Sequence, residues 1–215
     1  MDGTFFRRQS CLIAILDGKS HACISGAYPL SENSRLLLSA YFLRLRANGL
    51  HPASATVDGG RHMISALREM FPGIVIQRCL VHVQRQGLMW CRANPKRTDA
   101  RHLRNLFLRV SRINTSEDRD AFLSDVQKWE TRFGTALAET PERGRVVSDI
   151  IRARSMLQKA LPDMFHYLDD PGIPRTTSMI EGYFSRLKEL YRRHRGLAKA
   201  RRAVYFAWHF VISRR

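Results

Sequence analysis

Residues 53–82 read ASATVDGGRHMISALREMFPGIVIQRCLVH, and this stretch decides how the chain folds. A β-rich run ends at Asp58, and after two glycines a helical pattern continues to the Phe-Pro-Gly stop at 71–73. A second apolar run follows at 74–76. Open α/β sheets bind their ligands at the carboxyl ends of strands, so this strand–acid–helix–strand unit predicts a functional carboxylate at Asp58. The alternative is that Asp58 only caps the helix.

The net charge of the chain points to a polyanionic partner. Its 215 residues suffice for one domain with a core, or for one domain with a large insertion. It carries 36 Lys and Arg against 19 Asp and Glu, a formal charge of +17. A field of this sign favours nucleic acid first and an acidic membrane surface second. No apolar run approaches the roughly 18 residues of a bilayer span, and the first residues lack the order of a signal peptide.

The first half of the chain alternates strands and helices. Three strands are predicted at its start, at 2–7, 10–17 and 20–28. Ser31 and Glu32 then open a helix that ends at Asn48, before a glycine. The unit at 53–82 adds two strands around a helix, and a further helix is predicted over 79–90.

The second half is predicted to be helical, with no strand signal from Asn94 to Asp170. Trp129 is interpreted as a core residue there, and a base-stacking role on DNA is the alternative. The predicted helices are 99–113, one that starts at Thr115 or Ser116, 142–161, one that starts at Thr176 or Thr177, and 197–210.

This order of elements predicts an α/β fold with a ribonuclease-H-like, mixed five-stranded sheet, flanking helices and an all-helical insertion before the last catalytic helix. Residues 1–91 would form the first part of the core, 92–174 the insertion, and 175–215 the two helices that complete the core. Parallel connections in such a sheet are expected to be right-handed.

Three carboxylates are candidates for a metal site on this sheet. The first and fourth strands would lie side by side and bring together Asp2 and Asp58, while Glu181 would arrive on a late helix. Mg²⁺ binds through one or two carboxylates, keeps waters and takes phosphate oxygens. Two such ions roughly 3.5–4 Å apart can activate a water or a 3′-hydroxyl. Asp17 is the alternative first carboxylate, although it also suits a hairpin turn.

The four cysteines show no disulfide-like spacing, so we expect reduced thiols and a cytoplasmic protein. Cys79 and His82 have the spacing of half a zinc site, and only Cys91 and His102 offer a second half, at loose spacing. The alternative interpretation places His82 near the scissile phosphate or packed beneath the site.

Basic residues crowd the last two helices, directly after Glu181. We expect a track for backbone phosphates, which gives salt-dependent affinity and little sequence reading; a merely solvated face is the alternative. His62, beside Arg61, is interpreted as a surface residue or a phosphate contact. The basic residues are Arg186, Lys188, Arg192, Arg193, His194, Arg195, Lys199, Arg201 and Arg202.

Five segments together resemble the catalytic core of mutator-type (Mutator/MULE-like) bacterial insertion-sequence DDE transposases, over nearly the whole chain. They are MDGTFF (1–6), TVDGG (56–60), QRCLVH (77–82), RTTSMIEGYFSRLK (175–188) and HRGL (194–197). The resemblance implies a triad of Asp2, Asp58 and Glu181 that holds two Mg²⁺ ions, with Mn²⁺ as a substitute. It also places the Cys-x-x-His signature of the superfamily on Cys79 and His82.

The activity implied by the resemblance is metal-dependent cleavage of DNA and strand transfer from element ends to target DNA. The expected assembly is a homo-oligomer on paired ends in the bacterial nucleoid. Family members carry a region ahead of the first aspartate that includes the DNA-end-binding part, and we expect that region to be missing here. Two alternatives are an inactive remnant that binds DNA without cleavage, and a non-transposase nuclease or RNA-binding protein on the same sheet.

Overall fold

The computed structural model describes residues 1–6, 10–139, 144–194 and 196–212, and of Phe6, Ser10, Ala138 and Lys199 the backbone alone. The strands in these ranges are β1 (Asp2–Phe6), β2 (Ser10–Leu16), β3 (Cys23–Ala27), β4 (Ser54–Val57) and β5 (Val75–Arg78). The α-helices are α1 (Arg35–Ala47), α2 (Arg61–Met70), α3 (Leu80–Cys91), α4 (Thr98–Arg109), α5 (Ser116–Trp129), α6 (Thr135–Glu139), α7 (Arg145–Ala160), α8 (His166–Asp169), α9 (Ser178–Arg192) and α10 (Lys199–Ile212).

The chain divides into two compact units. The first comprises residues 1–77 and 172–215, and the second comprises residues 78–171. The first unit contains β1 to β4, most of β5, and α1, α2, α9 and α10, while the second begins at the last residue of β5 and contains α3 to α8. The predicted division at 92–174 stays a prediction.

The strands form two sheets in the described part of the chain. β1, β2 and β3 are antiparallel in that order, with Asp2 opposite Ala14, and β4 pairs with β5 in a separate two-stranded sheet. One hydrogen bond joins the start of β1 to β4, because the Met1 amino nitrogen donates to the Thr56 carbonyl oxygen at 2.9 Å. The predicted side-by-side placement of the first and fourth strands in one five-stranded sheet stays a prediction.

Strand β2 is apolar on both faces because both faces are covered. Cys11, Ile13 and Ile15 pack into a cluster with side chains of α1 and α2. Residues Leu12 and Ala14 point the other way, into a cluster with α9 and α10. The continuous run CLIAIL therefore has the composition of a strand buried between two layers of helices.

Helix α1 begins later than the sequence predicts. Its N-cap is Ser34, whose hydroxyl accepts a hydrogen bond from the Leu37 amide at 3.4 Å. The Ser34 amide donates to the carbonyl of Ser31, so that Ser31–Ser34 is a turn. Glu32 consequently lies before the helix instead of in its first turn.

The second unit has a core built from α3, α4, α5 and α7. Thr115 caps α5 reciprocally with Asp118, as the capping sequence predicts. Trp129 is buried, and its indole nitrogen donates to the carbonyl of Asp99 at 3.0 Å, which favours its interpretation as a core residue. A π-helical turn, Glu130–Gly134, joins α5 to α6. No described helix has the length and apolar character needed to cross a membrane.

Candidate active site

A cavity of about 380 Å³ in the first unit brings together residues from β1, the turn before α1, and the start of α2. Three of its lining residues are carboxylates and two are possible cations. The lining comprises Asp2, Gly3, Glu32, Asn33, Asp58, Gly60, Arg61, His62 and Met63.

Asp2 opens β1 and is half-buried. Its Oδ1 atom accepts a hydrogen bond from the amide of Gly3 at 2.7 Å. The bond between Met1 and Thr56 holds this end of β1 against β4, two residues before Asp58. This hydrogen bond links the residue before Asp2 to β4, and Asp2 and Asp58 line the same cavity.

Asp58 follows β4 directly, and its Oδ1 atom accepts from the amide of Gly60 at 3.0 Å. Gly59 has a φ of 108°, which only glycine adopts readily, so the chain can turn sharply after the carboxylate. The N-cap of α2 is Gly60, without any side-chain cap. The interpretation of Asp58 as the helix cap is therefore wrong, and its carboxylate lines the cavity instead.

Glu32 is the carboxylate that the sequence analysis missed as a site residue. Burial raises the pKa of Glu32 above its ordinary value, and repulsion from Asp58 and then from Asp2 raises it further. Its Oε2 atom lies 3.8 Å from the Cys11 Sγ atom. The turn composition of Ser31–Ser34 was the available signal, because the run Ser-Glu-Asn-Ser offers two possible N-caps.

Glu181 does not line this cavity. It is in the first turn of α9, half-buried, and its amide donates to the carbonyl of Thr177 at 3.2 Å. Helix α9 packs against β1 and β2, but Glu181 is not among the cavity residues. No group of three or more His, Cys, Asp or Glu side chains in the described ranges is arranged to hold a metal ion.

Asp17 is a hairpin-turn residue, which is the second of the two roles predicted for it. Its Oδ1 atom accepts from the Ser20 amide and hydroxyl, both at 2.7 Å, and from the Lys19 amide at 3.2 Å. The hydrogen bonds from Ser20 lower the pKa of Asp17 below its ordinary value. Asp17 thus closes the connection between β2 and β3 and does not line the cavity.

In the second unit Cys79 and His82 contact each other. Cys79 is the N-cap residue of α3, and its Sγ atom lies 3.2 Å from Nδ1 of His82. Cys91 is buried, which raises its pKa to about 12, while the His102 ring packs on Phe133. These four side chains do not form a zinc group, in line with the absence of any such cluster from the described residues.

The basic residues of the last two helices are mostly exposed. Arg186, Arg192, Arg193, His194 and Arg201 are exposed, while Lys188 and Arg202 are half-buried. Arg202 donates from Nε to the carbonyl of Leu197 at 3.4 Å. Arg195 lies outside the described residues, and of Lys199 only the backbone is described. At the cavity, Arg61 donates from Nε to the His62 ring at 3.2 Å.

The donor chemistry of the cavity suits a hard cation. Asp2 and Asp58 supply carboxylate oxygens, the ligands that Mg²⁺ prefers, and Mg²⁺ needs only one or two carboxylates because it keeps several waters. The absence of a Cβ at Gly3 leaves room for a third carboxylate, since a side chain there would overlap Glu32 Oε2. Asp2 and Asp58 therefore supply oxygen donors of the kind that Mg²⁺ takes, while the described residues form no complete three-ligand cluster.

Comparison with known protein families identifies the family of the chain. The sequence model of the family described as "Transposase, Mutator family" matches residues 2–144, which include Asp2, Asp58, Cys79 and His82. No curated protein and no solved structure matches the chain. Since the match spans more than half of the chain and confirms the resemblance found in the sequence, the chain belongs to the Mutator family of transposases.

Proposed function

We propose that this transposase is a DDE enzyme of a bacterial insertion sequence, which cuts and joins DNA with two Mg²⁺ ions, or Mn²⁺ as a substitute. The observation that carries the proposal is that Asp2, at the start of β1, and Asp58, directly after β4, are far apart in the sequence but line one cavity. Two carboxylates in one cavity are suited to hold a divalent ion against a phosphate.

The side chains of the cavity divide by charge. Asp2 and Asp58 would hold the metal, and Glu181, from the helix that packs on β1 and β2, would complete the triad. Arg61 is a guanidinium in the same lining, able to pair with a phosphate oxygen. When bound, the ions would lower the pKa of a water and stabilise the leaving oxygen.

The proposed reaction consists of two in-line substitutions at phosphorus. In the first, a water oxygen attacks the phosphate at the 3′ end of the element and loses a proton. The bond from phosphorus to the 3′ oxygen breaks, which leaves a free 3′-hydroxyl. In the second, this hydroxyl attacks a phosphate of target DNA, and the 3′ oxygen of the target leaves. No covalent enzyme intermediate forms, and we propose that a homo-oligomer performs both steps on paired ends.

The proposal is tested by cleavage of labelled duplex DNA taken from the flanks of the coding sequence, in Mg²⁺ and in Mn²⁺. We expect Asp58→Asn and Glu181→Gln to abolish strand cleavage while DNA binding remains. The matched controls are Asp17→Asn, which changes a turn residue, and Glu189→Gln, which changes an exposed acid of the same helix; both should retain cleavage.

Three other results would each overturn the proposal. Full cleavage by Asp58→Asn would show that Asp58 is not a ligand of the catalytic metal. Salt-sensitive DNA binding without cleavage in either metal would favour an inactive remnant. Preferential cleavage of RNA–DNA hybrids would favour a nuclease that is not a transposase.

A further inference from the structure

Glu32 is a third carboxylate of the cavity that contains Asp2 and Asp58. We propose that Glu32 is a further ligand of the divalent cation, outside the Asp–Asp–Glu triad. This inference rests on the proposed function, because it assigns a residue to the same metal site.

The local fold keeps Glu32 out of helix α1 and directs it to the cavity. Ser34, two residues later, takes the N-cap position, so that Glu32 lies in the turn Ser31–Ser34. A start of the helix at Ser31 would place Glu32 in the first turn, where its carboxylate would face the helix amides. The late start instead leaves its carboxylate beside β1.

Gly3 makes room for the carboxylate. A Cβ atom at position 3 would overlap the Glu32 Oε2 atom, with the Cys11 Sγ atom as its next neighbour. Gly3 directly follows Asp2, so Glu32 lies against the same part of the β1 backbone that positions Asp2. A side chain at position 3 would displace the Glu32 carboxylate from this place.

The charges in the cavity favour a cation. The described lining contains three carboxylates against one guanidinium, Arg61. Carboxylates that line one cavity repel each other, and this repulsion is relieved when they share a divalent ion.

Glu32 needs little rearrangement to join the metal ligands. Its Oε2 atom lies 3.8 Å from the thiol of Cys11, and a thiol is a weak hydrogen-bond donor. Rotation of the side chain toward Asp2 and Asp58 would therefore break only a weak contact. The proposal requires this rotation, because the described residues form no finished three-ligand cluster.

The test is a titration with Mn²⁺ followed by electron paramagnetic resonance, which reports free metal without any need for activity. The full chain is compared with Glu32→Gln, Asp58→Asn and the control Glu69→Gln, an exposed acid on α2 outside the cavity. We expect Glu32→Gln to raise the Kd for Mn²⁺ by about 10- to 100-fold. Asp58→Asn should abolish binding, and Glu69→Gln should bind like the wild type.

A second variant keeps the inference testable if Glu32→Gln folds poorly. Gly3→Ala retains the charge of Glu32 but displaces its carboxylate, and it should also raise the Kd. If Glu32→Gln or a folded Gly3→Ala binds Mn²⁺ like the wild type while Asp58→Asn does not, the inference fails and the proposed function stands. If Asp58→Asn itself binds normally, the metal site and the proposed function both fail.

Discussion

The aromatic ring of Phe210 lies so close to the backbone of Gly26 that a Cβ atom at position 26 would overlap it. Gly26 is in β3, and Phe210 is a buried residue of α10. This contact sets how closely the last helix approaches the sheet, on the face opposite to α1 and α2. A glycine in a strand often marks such a close approach.

Gly26→Ala should therefore destabilise the first unit. The methyl group must displace either the ring or the helix, and overpacking of this kind costs about 1–3 kcal/mol. Chemical denaturation followed by circular dichroism measures the loss. The matched control is Gly196→Ala, where nothing lies within 4 Å of the added Cβ. Equal stability of the two variants would contradict the tight contact.

Gly87 makes the equivalent contact in the second unit, where the ring of Phe107 occupies the space of its missing Cβ. We expect Gly87→Ala to lower the free energy of unfolding by about 1–3 kcal/mol, even though alanine is the better helix former. The double variant Gly87→Ala/Phe107→Leu gives the decisive comparison. A smaller side chain at 107 should absorb part of the added methyl, so the two costs should not add; strict additivity would mean that the residues do not touch.

Most of the secondary structure could be predicted from the sequence because the local signals agree. The opening strands, the strand–Asp–Gly–Gly–helix unit and the capping box at Thr115 all appear where the pattern places them. The start of α1 could not be fixed from the sequence, since Ser31 and Ser34 are equally good caps, and the structure uses Ser34. Whether β4 and β5 continue the first sheet depends on backbone bonds that composition does not encode.

The candidate site was predictable in part. Asp58 could be predicted because a carboxylate directly after a strand is a local feature of the sequence, whereas Asp2, the first residue of β1, depended on the predicted order of strands. Glu32 was not predicted because it lies in a turn outside any helix or strand. Its carboxylate occupies space that a side chain at position 3 would fill, and Gly3 has none. Whether Glu181 converges with the aspartates depends on where a whole helix packs, and residue spacing does not determine that placement.

The π-helical turn at Glu130–Gly134 should depend on a guanidinium of α7. Arg154 bonds Glu130 through Nε and Nη2, the latter at 2.6 Å, and donates from Nη1 to the carbonyl of Gly134 at 3.2 Å. With side chains only 24% and 19% exposed, Arg154→Ala should cost about 2 kcal/mol of stability. Arg154→Lys should recover less than half of this lost stability, since an ammonium group lacks the planar, bidentate donors of a guanidinium.

The control for this prediction is Arg152→Ala on the same helix. Arg152 is 63% exposed and contacts Asp149 at 3.7 Å. Pairs of this kind contribute about 0–1 kcal/mol, so the change should be small in the same urea titration. A loss equal to that of Arg154→Ala would show that the π-helical turn does not depend on the Arg154 guanidinium.

The thiols should be unreactive in the folded protein. All four cysteines are buried, and burial raises the pKa of Cys91 to about 12. The thiolate is the reactive form, and at pH 8 it amounts to roughly one part in ten thousand for such a pKa. Ellman's reagent should find no fast-reacting thiol at pH 8, and four after addition of guanidinium. Rapid modification of the native protein would contradict the burial of at least one cysteine.

The affinity of the last two helices for DNA should fall as the salt concentration rises. Arg186 and Arg192 are exposed on α9, and each phosphate contact contributes about 0.9 to the slope of log K against log[salt]. Arg186→Ala and Arg192→Ala should therefore each lower that slope by about 0.9, uniformly across DNA sequences. Fluorescence anisotropy of labelled duplexes between roughly 50 and 200 mM salt measures it. Arg35→Ala is the control, because Arg35 faces Glu69 at 3.8 Å and should leave the slope unchanged. If the slope is unchanged in all three variants, the basic face of α9 is a solvated surface that does not contact phosphates.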